Sequence, residues 1–162
     1  MSRTNIHSSM FLPLYGNVTQ PEQPSFLATH PDTQTNVTGD NTSVTVTFSA
    51  EVFDQGADYN TGTYTFTAPV TGKYLFTTVV RIQGLLTGHT SRTLTFVTSN
   101  RTNGIVLNRS LAEPVGSMQL SAIFDMDAND TAYVQLTVEG STKVIDILGN
   151  TTYNEFSGSL IN

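Results

Sequence analysis

The chain is predicted to be all-β, as a Greek-key sandwich or jelly roll, on three observations. Thr supplies 27 of the 162 residues, beside many Val, Phe, Tyr, Asn and Gly, while Lys (two) and Glu (five), the usual fillers of exposed helix faces, are scarce. Short runs alternating with a period of two recur from residue 25 onward, separated by Gly, Asn, Asp and Pro. No run of ten or more residues carries a helical period. A chain of this length fits one domain with a short appendage and buries roughly two-thirds of the surface its unfolded form exposes.

The elements follow in order. Residues 1–23 are polar, hold Pro13 and Pro21, show no sustained period and read as an arm; the domain proper spans 24–162. SFLAT (25–29) opens the strands, and after the loop THPDTQTNVTGDN comes SVTVTF, where Val44, Val46 and Phe48 share one face. The Gly- and Asp-rich loop DQGADYNTG leads to TYTFT, with Tyr64 and Phe66 on one side, and a turn at Pro69, Thr71 and Gly72 follows.

The longest strand is KYLFTTVVRI. Its two faces are Tyr74, Phe76, Thr78, Val80 and Ile82 on one side and Leu75, Thr77, Val79 and Arg81 on the other, both largely apolar. A strand half exposed to water alternates cleanly, so this one is expected to be covered on both sides, and one two-layer sandwich covers only one. RTLTFVTS, GIVLNRS, SMQLSAIFD, TAYVQLTVEG, KVIDIL and EFSGSLI complete about ten strands.

Charge and composition narrow the function. A net charge of −6 leaves no basic patch for a phosphate backbone, so nucleic acid is not an expected partner. The absence of Cys removes disulfides, thiolate zinc sites and cysteine nucleophiles, and fits a reducing cytoplasm. The apolar run Met10–Tyr15 is broken by Pro13 and lacks the core of a secretion signal, and no stretch approaches the roughly 20 apolar residues of a membrane span. Seven Asn-x-Ser/Thr sequons are what a chain so rich in Asn and Thr produces by chance, and without export they stay unmodified.

From Phe48, five residues lead to Asp54, four more to Tyr59, six more to Phe66, and five more to Gly72-Lys73-Tyr74-Leu75-Phe76. This spacing resembles the signature of the globular head of complement component 1q, in the tumour-necrosis-factor-like superfamily. Thr78 departs from it, standing where that family usually has another aromatic. Tyr59-Asn60 with Thr61-Gly62, the turn Met126 to Asp130 (with Asn129 where Gly is common), the closing Phe156-Ser157-Gly158-Ser159-Leu160 and the opening SFLA are similar to further family landmarks, over about residues 24–162. The resemblance implies a ten-stranded jelly roll assembled as a compact homotrimer around a threefold axis, which would cover the second face of the long strand. Tyr74, Phe76, Tyr133 and Phe156 are the residues expected near the axis; each could equally be ordinary core.

Chemistry finds little footing. Asp125, Asp127 and Asn129 begin like a calcium loop, but Asp130 stands where the turn wants Gly and Leu136 where a bidentate Glu is needed, so a turn between strands is the better expectation. His7, His30 and His89 lie far apart and read as solvated; no metal or cofactor is expected. No nucleophile elbow or phosphate-cradling loop is present, and no enzyme is expected. The loops Thr87–Ser91, Thr98–Asn103 and Asp125–Asp130 carry groups able to bond sugar hydroxyls, though any loop needs such residues.

The expected function is therefore a non-enzymatic, trimeric virion structural protein, most plausibly of a bacteriophage: capsid decoration, head fibre or receptor-binding tail tip. The arm would bind other virion proteins through Phe11, Leu12, Leu14 and Tyr15, and the domain could meet a host glycan or protein. The alternative is a secreted or cell-surface recognition module related to the complement head, which predicts an export signal and a collagen-like or coiled-coil stalk.

Overall fold

A computed structural model describes residues 22–108 and 114–161. Thirteen strands and no helix occur among them: β1 (Ser25–His30), β2 (Gln34–Thr38), β3 (Ser43–Thr45), β4 (Ala50–Gln55), β5 (Tyr59–Asn60), β6 (Thr65–Thr67), β7 (Gly72–Gln83), β8 (Ser91–Thr98), β9 (Thr102–Asn108), β10 (Val115–Met126), β11 (Thr131–Glu139), β12 (Ile145–Ile147) and β13 (Asn150–Leu160). They form the two antiparallel sheets of a jelly-roll sandwich, of seven and six strands. The second sheet runs β5-β6-β11-β8-β9, with β3 also on β11.

The first sheet is organised by β7. One of its edges pairs with β10 over the full length from Gly72↔Met126 to Gln83↔Val115. Its other edge is shared: β13 takes Tyr74 to Val79, and β12 takes Ile82 and Gln83. At the handover, Leu148 N–H donates to Arg81 O at 3.0 Å, and the buried Asn154 carboxamide accepts from Arg81 N–H and donates to Leu148 O. One side chain thus fills the gap in the ladder, so no buried backbone group at Arg81 is left unpaired. Beyond β13 the sheet continues to β1 and β4, and beyond β12 to β2.

The inward residues of β7, Tyr74, Phe76, Thr78, Val80 and Ile82, are all 0% exposed and face Leu94, Phe96, Val134 and Leu136 of the other sheet. The spacing that suggested a family signature is the aromatic centre of this core. Phe26 stacks on Tyr59 at 4.8 Å and Phe66 at 5.0 Å, and Phe76 lies 5.5 to 6.0 Å from Phe66, Phe96, Phe124 and Phe156. Asp54 fixes the approach by accepting N–H bonds from Asp58 and Tyr59, and Tyr59 Oη donates to Phe48 O at 2.8 Å. Thr78 fits among the rings because its hydroxyl donates to Glu155 O at 2.8 Å, which satisfies the one polar group it buries.

Three strands went unread in the sequence. Glu51, Val52 and Phe53 of β4 are all exposed, β2 is mostly polar, and β5 has two residues, so none shows the alternation that burial on one face imposes. Tyr64 is not on the strand with Phe66: its φ of 60° places it in the turn from Asn60.

Candidate functional site

The outer face of the β7 sheet is built from the residues that alternate with the core. The registers align it in rows across β10, β7, β13 and β1: Ile123, Leu75, Ser159, Ser25; then Ser121, Thr77, Ser157, Leu27; then Gln119, Val79, Glu155, Thr29. Phe53 of β4 extends the second row from Leu27, and Ser117 with Arg81 begins a fourth. Ile123, Phe53 and nearby Tyr153 are about half exposed, at 49%, 50% and 52%. Seven of its positions, Ser25, Thr29, Thr77, Ser117, Ser121, Ser157 and Ser159, are Ser or Thr.

The outer face of the other sheet has a different chemistry. Thr93, Thr95, Thr131, Thr137, Gln135, Thr65 and Thr67 make a hydroxyl lawn suited to water, with Tyr133, Val97 and Val106 its main apolar members. Apolar side chains at half exposure among small hydroxyls suit contact with another surface better than contact with water.

Two depressions mark the first face. One, of 590 Å³, is lined by Val79, Arg81, Val115, Ser117, Tyr153 and Glu155, and the Arg81 guanidinium lies 5.3 Å from the centre of the Tyr153 ring. The other, of 190 Å³, lies between Phe53, Leu75, Ser157 and Ser159.

Three of the four residues expected near a threefold axis lie inside the sandwich. Tyr74, Phe76 and Phe156 are 0% exposed and point into the sandwich of their own chain, so they offer no surface to a second copy. Tyr133 is half-buried on the opposite outer face, in register with Val97. The correction is physical: a period of two tells which side chains share a face, not which face is inside, and on β7 both faces are apolar. The signal that identifies the exposed one is the run of small residues in neighbouring strands, Ser157, Ser159 and Ser121. Phe11, Leu12, Leu14 and Tyr15 lie outside the described residues.

His30 and His89 are buried rather than solvated. His30 Nδ1 lies 2.7 Å from Thr47 O, which makes it the donor, and its Nε2 has no hydrogen-bond partner among the described residues. His89 Nδ1 accepts from Leu86 N–H at 2.9 Å, and Nε2 donates to Thr142 O at 3.2 Å, tying two loops together. His7 lies outside the described residues. No cluster of three or more potential metal ligands occurs among the described residues.

The three polar loops do not form one surface. Thr98–Asn103 and Asp125–Asp130 touch: Asn100 Nδ2 donates to Asp130 at 2.6 Å and to Asp125 O at 3.3 Å. Asp125–Asp130 is a turn held partly by its own backbone and partly by the Asn100 and Thr71 side chains. Asp130 accepts from Asp127 N–H at 2.7 Å, Asp130 N–H donates to Asp127 O at 3.0 Å, and Asn129 takes the left-handed conformation at φ 75°. Residues 22–24 enter at this same end, where Leu160 N–H donates to Pro24 O. Thr87–Ser91 lies at the far end of the sandwich, beside Glu139 and Ser141.

Comparison with known proteins gives a consistent result. The family description "C1q domain" matches residues 26–161. The globular domain of zebrafish complement 1qA is similar over 87% of this chain and 98% of its own, with a TM-score of 0.58 and 18% identity. Murine APRIL at pH 5.0 is similar over 86% of this chain and 99% of its own, with a TM-score of 0.59 and 9% identity. At such identities these two likenesses speak for fold alone. No curated protein matches the chain.

Proposed function

The chain belongs to the C1q domain family, and from that premise we propose that it acts by assembly and recognition: three copies close through the outer face of the β7 sheet, and residues 1–23 join the trimer to other proteins of a virion. Relatives in this family and among the TNF-like proteins are homotrimeric and generally serve recognition rather than catalysis. The observation that carries the proposal is the outer face of the β7 sheet, which groups Leu27, Phe53, Leu75, Val79 and Ile123 among small residues, whereas the other outer face scatters Val97, Val106 and Tyr133 among threonines. An obligate interface of this kind buries on the order of 2,000 Å² or more in total.

The Cys-free composition, which fits assembly in a reducing cytoplasm, supports the virion reading. Three arms per trimer act together through effective concentration, so each contact can be weak. Residues 22–24 lie beside the turns at 99–101 and 127–130, so those turns would face the particle, while the loops at 84–90 and 140–144 would face outward and meet any host glycan or protein.

The test uses the full chain with Phe11, Leu12, Leu14 and Tyr15 all replaced by Ser. The expected result is an intact trimer that no longer co-purifies with particles. Unchanged particle association would contradict the arm's role, and loss of the trimer would contradict its separation from assembly. The secreted alternative predicts an export signal and a stalk in the full reading frame.

A further inference from the structure

On the outer face of the β7 sheet, the rows from Leu75 to Arg81 across β10, β7, β13 and β1 contain two charged side chains, Arg81 and Glu155. Both are half-buried, both line the 590 Å³ depression, and neither has an ion-pair partner among the described residues. Their backbones are held firmly: Arg81 bonds to Leu148 and Asn154, and Glu155 O accepts from Thr78. Glu155 stands opposite Val79, two residues along β7 from Arg81, and the guanidinium lies over Tyr153 instead of turning to the carboxylate. Covering this face removes water from a cation and an anion, and an ion taken out of water destabilises unless it meets an opposite charge with good geometry.

We infer that Arg81 of one copy pairs with Glu155 of the next, inside the depression that Val79, Ser117 and Tyr153 line; the inference rests on the assembly proposed above. In a cyclic arrangement each copy gives its arginine to one neighbour and its glutamate to the other. A closed ring satisfies every charge, whereas an open dimer leaves one of each unpaired, so the pairing favours closure and sets the register between copies. The aromatic ring beneath Arg81 preorients the guanidinium for a carboxylate arriving from outside the chain.

The test compares full-length Arg81→Glu, Glu155→Arg and the double exchange by sedimentation velocity, with circular dichroism as the folding control. Each single exchange sets like charges together and is expected to weaken assembly at least tenfold. The double exchange is expected to restore it. An equal mixture of the two single variants is expected to form mixed trimers, with two of three contacts matched. The neutral variants Arg81→Gln and Glu155→Gln provide the readout if a reversed charge prevents folding, and each should weaken assembly and reduce its sensitivity to salt. If wild type is trimeric and the single exchanges assemble as tightly, or the double exchange is no better than they are, the pairing is wrong while the assembly reading stands. If wild type is monomeric, that reading fails, and the pairing with it.

Discussion

Gly158 on β13 stands directly opposite Phe76 on β7, and a Cβ added to it would lie 2.5 Å from Cδ1 of that ring. The same Cβ would meet Phe26 at 2.7 Å. The glycine is what lets two aromatic rings close over the C-terminal strand. Gly158→Ala is expected to destabilise the fold by about 1–3 kcal/mol, because the rings sit in a packed core with no room to move aside. Chemical denaturation of wild type and variant checks this; equal midpoints would show that the core yields.

Tyr59 predicts how stability depends on alkaline pH. Burial pushes its phenol well above the ordinary tyrosine value of 10.0, with smaller contributions from Glu51 and Tyr64. The folded state therefore holds this proton more tightly than the unfolded chain does. The associated stability is fully present below about pH 10 and is lost as pH rises above it. Tyr59→Phe should flatten that alkaline decline while costing about 1 kcal/mol at neutral pH for the lost bond to Phe48 O. Burial also raises Tyr74, so some slope will remain. An unchanged alkaline slope in the variant would contradict this account.

The exposed edge of β10 is guarded at one end. Arg101 donates to Ile123 O while lying 4.7 Å from the Phe124 ring centre, and Asn100 donates to Asp125 O. These two side chains occupy carbonyls that would otherwise template another strand. Replacing both with Ala should raise the aggregation rate on gentle heating, read by light scattering, with only about 1 kcal/mol lost from the fold. Scattering as low as wild type would count against a protective role.

The two outer faces should respond oppositely to a new charge. Leu75→Asp and Val79→Asp place a carboxylate where a neighbouring copy is expected, and should dissociate the assembly with the β-sheet circular dichroism retained. Thr93→Asp, on the hydroxyl-rich face, should leave the oligomer intact. Dissociation by Thr93→Asp alone would move the interface to the other sheet.

The long strands were legible in the sequence because each alternates buried and more exposed positions over its length. β7, β8, β10, β11 and β13 all alternate strongly. β2 and β4 were not, because an edge strand buries too little to leave a period: Val52 at 62% exposed and Phe53 at 50% look like loop residues. The aromatic spacing was read correctly as a family mark, and three of the aromatics expected at the axis, Tyr74, Phe76 and Phe156, are core residues of their own chain. Large rings hold the inside of the sandwich, whereas the face proposed for assembly carries partly buried Leu and Val with exposed Ile123 among serines. That arrangement exists only in the register of four strands, so no single stretch of sequence displays it. The handover at Asn154 and the placement of Arg81 and Glu155 beside one depression are likewise products of pairing between distant segments.

The most direct test of the central claim is the native mass of the full-length protein at micromolar concentration, by sedimentation equilibrium. A mass of three chains, falling to one in Val79→Asp with the fold retained, is the predicted result. A well-folded wild-type monomer would contradict it.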